Sequence, residues 1–365
     1  MKIIADENMP LVRELFSPYG EVITVPGRNL SAAQVRDADV LLVRSVTQVN
    51  RTLLANSGIR FVGSATIGVD HVDLDYLVEQ GIEFSAAPGC NATAVVDYVC
   101  AALCTLNVDW QTLCAGQTSV GIVGCGNVGG RLYRRFRAMG VSVHCYDPFL
   151  DIEENPDLTD LETVLGCSVV CLHTPHTVDG PFPTHHMLSE AELEQFAPGT
   201  VLLNAGRGAA IDNSALLNRL NRGADLKVVL DVWEGEPDVS QPLLEAVILA
   251  TPHIAGYSVQ GKTNGTTMVR DAFLRWREEP ANPVVEQDEP MVLSAKVLNE
   301  AVQGAYDIRE DDRRMRAQLA MADSAHQFDR LRKEYPQRHE FHRYRVVGDK
   351  LSAFDRQVLT AFGFG

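Results

Sequence analysis

The sequence predicts an α/β protein with two doubly wound parallel sheets, followed by a small α+β segment. The chain has 365 residues, and a single hydrophobic core rarely grows beyond roughly 250 to 300 residues, so we expect more than one packed unit. Short apolar runs alternate with segments of helical periodicity, which is typical of parallel sheets covered by helices. A glycine motif near the middle of the chain opens the second series.

The first sheet is predicted from residues 1–93. Its strands are the apolar runs KIIA, VITV, VLLV, FVG and IEFSA, which begin at Lys2, Val22, Val40, Phe61 and Ile82. Helical patterns cover residues 8–16 and 72–80. Asp70 or Asp73 can cap the second of these helices, because a short carboxylate accepts from the free amides of the first turn. Gly81 can then end it.

A mostly apolar segment from Asn91 to Leu113 predicts one long buried helix that leads into the second unit. Asp97, Asn107 and Asp109 interrupt it, which does not suit a membrane span. The chain has no run of about 18 apolar residues and its first residues lack a signal-peptide pattern, so we expect a cytoplasmic protein that does not bind membranes.

The second sheet is predicted from residues 94–256. Its six strand candidates are SVGIVG, VSVHCYD, SVVCLHT, TVLLNA, LKVVLDV and VILATP, and six such strands fit a doubly wound sheet. The next segment, to Glu278, has a helical pattern and can return to the first unit, which would then comprise residues 1–93 and 257–285. Pro280 and Pro283 mark a linker.

A C-terminal segment of different character is predicted from residue 286 to 365. Charges of both signs alternate densely from Asp307 to Arg332, and a solvated helix face is the usual explanation of such a run. We expect a small α+β domain.

Composition restricts the possible functions. Hydrophobic residues make up 45% and charged residues 22% of the chain, as in ordinary globular proteins. The formal net charge of −16 opposes binding to nucleic acid or anionic membranes. The eight cysteines lie between Cys90 and Cys171 without a C-x-x-C pair, so we interpret them as reduced core residues.

Gly124, Gly126 and Gly129 form a G-x-G-x-x-G motif at the end of an apolar strand. The first glycine permits a tight turn, the second lets a pyrophosphate approach the backbone, and the third lets helix and strand pack closely. A helix from Val128 to Met139 would present free amides to the phosphates. The motif predicts a Rossmann-like nucleotide-binding domain, although a lone glycine motif also occurs in unrelated tight turns.

Asp147 strengthens this interpretation. It ends the next predicted strand, 18 residues after Gly129, where an acidic side chain can accept from the ribose hydroxyls of the adenosine. Its charge would repel a 2′-phosphate, and no arginine directly follows it. We therefore expect NAD as the cofactor, not NADP.

Arg207, Glu236 and His253 follow three successive predicted strands, within NAGRG, DVWEGEP and TPHIAG. Oxidation of a hydroxy acid requires a base for the hydroxyl proton, and histidine suits this task near neutral pH. Glu236 can orient His253 and stabilise its protonated form. Arg207, between two glycines, can bind a carboxylate and polarise the developing carbonyl. Each residue alone could equally be an ordinary loop or strand-end group.

These strings, with GIVGCGNVGG and IGVDHVD, resemble the D-isomer-specific 2-hydroxyacid dehydrogenases. The resemblance implies that Arg207, Glu236 and His253 are catalytic. It also implies an NAD-binding domain (94–256) inserted in a discontinuous substrate-binding domain (1–93 and 257–285).

Within that family, MKIIADENMP, APGCNATAVVDYV, HIAGYS and the C-terminal extension are similar to members that act on a small phosphorylated hydroxy acid. This similarity implies a homodimer formed through residues 286–365. It implies substrate contacts at Ser45, Thr66, Tyr257 and Arg207, and NAD contacts at Asp147, Thr174, Asp231 and Gly256, besides the loop residues Gly124, Gly126, Val128 and Gly129. From the residues alone, Ser45 and Thr66 could also be ordinary strand-end groups.

Two alternatives stay open at this point. One is a dehydrogenase for 3-phosphoglycerate or another D-2-hydroxy acid, and the other is a noncatalytic NAD-sensing module, a use of this fold in corepressors. We expect no metal, because hydride transfer to NAD needs none. The histidines that could otherwise suggest a metal site are His71, His173, His176, His185 and His186.

Overall fold

The computed structural model describes residues 1–153, 155, 157–281, 289–321 and 323–365. Contacts divide the chain into two compact units, Met1–Asn91 with Ser258–Asp288 and Ala92–Tyr257 with Glu289–Gly365. The predicted boundary at residue 286 and Pro283 lie outside the described residues. The described C-terminal residues group with the second unit, and the assignment of separate domains to substrate, NAD and dimer formation stays a prediction.

The first unit contains a parallel five-stranded sheet in the order β2-β1-β3-β4-β5 among the described residues. Its strands are β1 (Lys2–Asp6), β2 (Glu21–Val25), β3 (Val40–Val43), β4 (Phe61–Ser64) and β5 (Glu83–Ser85). Its helices are α1 (Val12–Phe16), α2 (Ala32–Val35), α3 (Arg51–Leu54), α4 (Leu74–Glu79) and α12 (Val259–Trp276). All five predicted strands are present.

Helix α12 returns to this sheet from a distant part of the sequence. Its Phe273 ring packs against Phe16 and Phe61, with ring centroids 5.5 and 5.6 Å apart. Gly63 permits the close approach, because a Cβ there would lie 2.3 Å from the Cγ1 atom of Val269. The helix therefore completes the core of the first unit.

Helix α4 shows which predicted cap is used. The carboxylate of Asp73, and not that of Asp70, accepts from the backbone N–H of Tyr76 at 3.0 Å. Gly81 follows the last turn with φ of 63°, a conformation that glycine adopts without steric cost.

The second unit contains a parallel six-stranded sheet in the order β11-β10-β9-β8-β6-β7, again among the described residues. The strands are β6 (Ser119–Val123), β7 (Ser142–Tyr146), β8 (Val169–Leu172), β9 (Val201–Asn204), β10 (Lys227–Leu230) and β11 (Leu249–Ala250). The order reverses between β6 and β8, which is where doubly wound sheets bind ligands. The predicted α/β class is confirmed.

The helices of the second unit surround this sheet and extend through the C-terminal part. They are α5 (Ala92–Thr105), α6 (Trp110–Cys114), α7 (Gly129–Ala138), α8 (Leu161–Leu165), α9 (Glu190–Leu193), α10 (Asn213–Asn221), α11 (Gln241–Ala246), α13 (Leu298–Ala305), α14 (Ile308–Leu319), α15 (Ser324–Lys333) and α16 (Ala353–Phe362). None of the helices in the described part of the chain has the length and apolar character to cross a bilayer.

The prediction of one helix from Asn91 to Leu113 is wrong. The segment forms α5 and α6, separated by a turn in which Asn107 has φ of 53°. Asp109 then caps α6, accepting from the amides of Gln111 and Thr112 at 3.0 and 3.1 Å. Local bonds of this carboxylate start a new helix and override the continuous apolar pattern.

The C-terminal part packs into the core of the second unit. Its strands β12 (Met291–Ser294) and β13 (Tyr344–Val347) form a parallel pair, as expected for an α+β segment. Helix α14 covers the edge of the large sheet, where Asp312 accepts from the amide of Ala250 at 2.8 Å. A backbone amide on the edge strand β11 thereby gains a hydrogen-bond acceptor. Helix α14 is thus only partly exposed to solvent, although its sequence is rich in charge.

The cysteines behave as the composition predicts. All eight are free, and six of them are buried. Burial raises the pKa of Cys100 to about 12, which keeps that thiol protonated and unreactive.

The contact between β6 and α8 gives a stability test. A Cβ on Gly121 would lie 2.5 Å from the carbonyl oxygen of Val164, whereas a Cβ on Gly166 would lie 3.4 Å from its nearest neighbour, the carbonyl oxygen of Thr163. We expect Gly121→Ala to lower the free energy of unfolding by about 1 to 3 kcal/mol through overpacking. The matched variant Gly166→Ala should change it by less than about 1 kcal/mol. Urea denaturation of both variants would measure this, and equal stabilities would contradict the packing.

Candidate active site

Three neighbouring strands position Arg207, Glu236 and His253. The residues follow β9, β10 and β11, which lie side by side in the sheet. Because the strands are parallel, the loops after them emerge at the same edge of the sheet. The side chains that the sequence separates by up to 46 positions therefore lie at one end of the second unit.

Glu236 and His253 are in direct contact. The Nδ1 atom of His253 lies 2.5 Å from the Oε1 atom of Glu236. An ionised carboxylate can only accept a hydrogen bond, so Nδ1 carries the hydrogen and Nε2 of the neutral ring is the nitrogen that can take a proton. The pair has the geometry of a histidine base with an orienting carboxylate.

The surroundings of Glu236 stabilise its ionised form. Burial opposes the charged form, but the charge and hydrogen bond of His253 outweigh it and hold the pKa of Glu236 below its ordinary value, with a smaller contribution from Arg332. The second oxygen of Glu236 accepts from the amide of Trp233 at 3.2 Å. Glu236 is consequently anionic over the neutral pH range.

Asp231 fixes the turn that carries His253. Its buried carboxylate, 1% exposed, accepts from the Oγ1 atom of Thr251 at 2.6 Å and from the amides of Ile254 and Ala255 at 2.8 and 2.9 Å. Burial raises the pKa of Asp231, while the charge of His253 and these hydrogen bonds act against the rise. These hydrogen bonds stabilise the backbone conformation of His253, whose φ of 55° is strained for a residue with a Cβ. The predicted NAD contact of Asp231 stays a prediction.

The loop of Arg207 packs on the loop of Glu236. A Cβ on Gly208 would lie 2.0 Å from the backbone carbon of Trp233, so only glycine permits this approach. The guanidinium of Arg207 donates to the carbonyl of Gly206 at 3.0 Å. Glycines on both sides of Arg207 thus serve close backbone packing at the strand ends.

The glycine loop after β6 has the geometry that a dinucleotide requires. Gly124 has φ of 86°, and a Cβ on Gly129 would lie 2.0 Å from the carbonyl oxygen of Gly124. A Cβ on Gly126 would meet no heavy atom within 4 Å among the described residues, so the backbone there is open to a ligand. Val128 precedes helix α7 as its N-cap. The Oδ2 atom of Asp147 accepts from the amide of Cys125 at 2.9 Å, which ties this carboxylate to the loop.

Two polar side chains beside the loop are buried without partners. Within the described part of the chain, the Oγ1 atom of Thr174 and both ring nitrogens of His173 have no hydrogen-bond partner. Burial lowers the pKa of His173 to about 4, so its ring is neutral. A buried hydroxyl without a partner is costly. The place of this hydroxyl next to Gly124 suits a hydrogen bond to a dinucleotide, and the polar groups of this region as a whole suit NAD.

Gly256 and Tyr257 lie in the turn after His253. The amide of Tyr257 donates to the carbonyl of Ile254 at 2.7 Å. The ring of Tyr257 packs edge-on against that of Tyr335, with centroids 5.7 Å apart. The Arg332 guanidinium lies 5.9 Å from the Tyr257 ring centroid. Arg332 belongs to a charge run whose pattern is that of a solvated helix, so the sequence does not indicate its position beside Tyr257.

The first unit holds Ser45 and Thr66, which follow the neighbouring strands β3 and β4. Ser45 is exposed, and the Oγ1 atom of Thr66 lies 2.7 Å from the hydroxyl of Ser64 and donates to the carbonyl of Gly68 at 3.1 Å. The hydroxyl of Ser64 also lies 3.0 Å from His71. Their substrate contacts stay predictions.

One group of residues has the composition of a metal site. His186, Asp212 and Glu234 have ligand atoms within 4.8 Å of one another. Other bonds already engage the two carboxylates, since Asp212 caps α10 and Glu234 accepts from the amide of Asn213 at 3.3 Å. The Nε2 atom of His186 lies within hydrogen-bond distance of Glu234, at 2.6 Å. The absence of a metal stays a prediction.

Comparisons with known proteins agree with this geometry. Residues 108–255 match the NAD-binding domain of the D-isomer specific 2-hydroxyacid dehydrogenases, and residues 280–363 match a domain of unknown function (DUF3410). The second unit thus contains an NAD-binding domain.

Relatives match the whole chain. The erythronate-4-phosphate dehydrogenase of Cellvibrio japonicus is 49% identical and that of Teredinibacter turnerae 47%, covering 100% of this chain and 99% and 98% of their own. A solved NAD⁺-bound 3-phosphoglycerate dehydrogenase from Entamoeba histolytica has the same fold, with a TM-score of 0.62 and 21% identity, but its match covers 76% of this chain and 95% of its own. The chain belongs to the erythronate-4-phosphate dehydrogenase family, within the D-isomer-specific 2-hydroxyacid dehydrogenases.

Proposed function

We propose that the chain oxidises 4-phospho-D-erythronate to 2-oxo-3-hydroxy-4-phosphobutanoate with NAD, a step of pyridoxal 5′-phosphate biosynthesis. The observation that carries the proposal is the 2.5 Å contact of His253 with Glu236, in loops that leave the same edge of the sheet as the loop of Arg207. The names of the full-length relatives supply the substrate. A noncatalytic NAD-sensing module has no need of an oriented base.

The residues divide the chemistry as follows. Arg207 binds the substrate carboxylate and polarises the C2 oxygen as it becomes a carbonyl. Nε2 of His253 takes the proton of the C2 hydroxyl, and Glu236 stabilises the imidazolium that forms. NAD, when bound, accepts the hydride that leaves C2. Ser45, Thr66 and Tyr257 supply further hydroxyl contacts to the substrate.

The cofactor is assigned to the switch point of the six-stranded sheet. The proposed NAD contacts are Gly124, Gly126, Val128, Gly129, Asp147, Thr174, Asp231 and Gly256. The open backbone at Gly126 and the unpartnered Thr174 hydroxyl support this assignment. Asp147 sits on the loop where the ribose is expected, and its charge disfavours NADP.

The C-terminal part is proposed to form a homodimer in the cytoplasm. The outer face of the small β12 and β13 sheet exposes Val292 and Val347, which are 56% and 40% accessible. Apolar side chains on an exposed sheet face are a common feature of interfaces between subunits. A second copy of the chain would cover them.

The substrate is tested by following NADH absorbance with three acids, 4-phospho-D-erythronate, 3-phosphoglycerate and D-lactate. We expect kcat/KM to be highest for the four-carbon phosphate by at least about tenfold. The three-carbon acid places its phosphate one carbon too near and D-lactate has none, so each loses a contact with a charged group worth about 1.5 to 3 kcal/mol. A preference for 3-phosphoglycerate would favour the alternative dehydrogenase. No turnover of any of the three would favour the NAD-sensing module.

The base is tested by pH profiles of kcat/KM. Because its pKa is lowered, Glu236 keeps its charge until the pH falls well below neutral, so a rise of the rate with pH near neutrality should report the base that accepts the hydroxyl proton. His253→Asn should lower the rate about 10² to 10⁴-fold and abolish this rise. Glu236→Gln should move the rise to lower pH, because a neutral amide stabilises the imidazolium less. The control His144→Asn, on β7, should keep the parent profile. An unchanged profile in His253→Asn would remove His253 as the base.

The dimer is tested by sedimentation velocity of the full chain. Val292→Glu and Val347→Glu should convert the dimer to monomers, because burying a charge without a partner is unfavourable. The control is Val78→Glu, at a position on α4 that is 80% exposed, and it should leave the dimer intact. A parent chain that sediments as a monomer would refute the proposal.

A further inference from the structure

Helix α15 brings a cation from the C-terminal part to the catalytic turn. The guanidinium carbon of Arg332 lies 5.9 Å from the centroid of the Tyr257 ring and 6.0 Å from that of Phe328. The charge of Arg332 also contributes to the lowered pKa of Glu236. Arg332 therefore lies in the neighbourhood of both a catalytic residue and a proposed substrate contact, all within the second unit.

Further contacts fix this arrangement. Arg338, which is buried, donates to the carbonyl of Ala255 and, at 3.4 Å, to that of Ala94. Its guanidinium lies 4.4 Å from the ring centroid of Tyr306. Tyr335 packs on Tyr257 with an interplanar angle of 83°. The C-terminal part thus braces the turn between His253 and Tyr257, and Arg332 beside it is half-buried.

Arg332 retains unused hydrogen-bonding capacity. Its Nε atom is buried and has no hydrogen-bond partner among the described residues. Burial opposes the charge of Arg332, but the neighbouring Tyr257 and Glu236 outweigh it and raise its pKa, so the side chain stays cationic. A planar guanidinium with a free Nε–H is suited to a paired contact with the oxygens of a phosphate.

We propose that Arg332 binds the C4 phosphate of the substrate, which makes the C-terminal part a component of the active site. The inference rests on the proposed function. A four-carbon acid with anionic groups at both ends needs a second cation when Arg207 binds the carboxylate, and in a chain with a net charge of −16 that cation must be local.

The comparisons fit this role. The 3-phosphoglycerate dehydrogenase, whose substrate is one carbon shorter, matches about three quarters of this chain. The relatives named for the four-carbon phosphate match all of it. The segment matched by the second family, residues 280–363, contains Arg332. A cation from this segment can account for recognition of a phosphate that lies farther from the reacting carbon.

The experiment compares a phosphorylated with an unphosphorylated ligand. We expect Arg332→Ala to lower kcat/KM for 4-phospho-D-erythronate at least about tenfold. The inhibition constant of D-erythronate, which lacks the phosphate, should change less than about twofold, since removing this contact affects the phosphate alone. Arg332→Lys should recover part of the loss, because it keeps the charge without the planar pair of donors.

Controls separate this role from others. Lys333→Ala removes one positive charge from the exposed neighbouring position of the same helix and should leave both constants unchanged. If Arg332→Ala does not fold, Arg332→Gln provides a neutral side chain of similar length for the same comparison. An equal loss for both ligands, or a shifted pH profile without loss of phosphate discrimination, would overturn the inference and make Arg332 a positioning residue for Glu236. If the parent chain prefers another acid, the proposed function fails instead.

Discussion

The hydrogen bond between His253 and Glu236 determines which nitrogen of the imidazole can act as a base. A carboxylate accepts and cannot donate, so it fixes the hydrogen on Nδ1 and leaves Nε2 unprotonated for the proton transfer proposed above. The rest of the site maintains this contact. Asp231 holds the turn of His253, while Gly208 lets the loop of Arg207 reach that of Glu236.

Because the sheet is parallel, residues that are far apart in sequence come together at one edge. Strands β9, β10 and β11 are neighbours, and their carboxyl ends form one edge where backbone amides and loops converge. The cofactor loop emerges at the reversal of the same sheet, after β6. The C-terminal part then covers the free edge at β11 through Asp312 and reaches the turn of Tyr257 through Tyr335. The C-terminal part thus stabilises both the sheet edge and the turn of the site.

Much of the fold could be predicted because strand formation here follows local apolar runs, and the predicted strands of both sheets are present. The break between the two helices at Asn107 could not be predicted. There, one residue in a left-handed conformation and a carboxylate cap interrupt an apolar pattern that continues on both sides. Strand ends and glycine spacing indicated the positions of Arg207, Glu236, His253 and the cofactor loop. Arg332 was not predictable, because the pattern of a charged helix does not show which of its cations turns inward.

The central claim concerns the location of one proton, and ¹⁵N NMR of the histidine side chains observes it directly. In the parent chain at alkaline pH, we expect a His253 resonance with a protonated Nδ1 and an unprotonated Nε2, and a strongly downfield proton that disappears in Glu236→Gln. A His253 ring that carries its hydrogen on Nε2, with no proton shared with Glu236, would contradict the account.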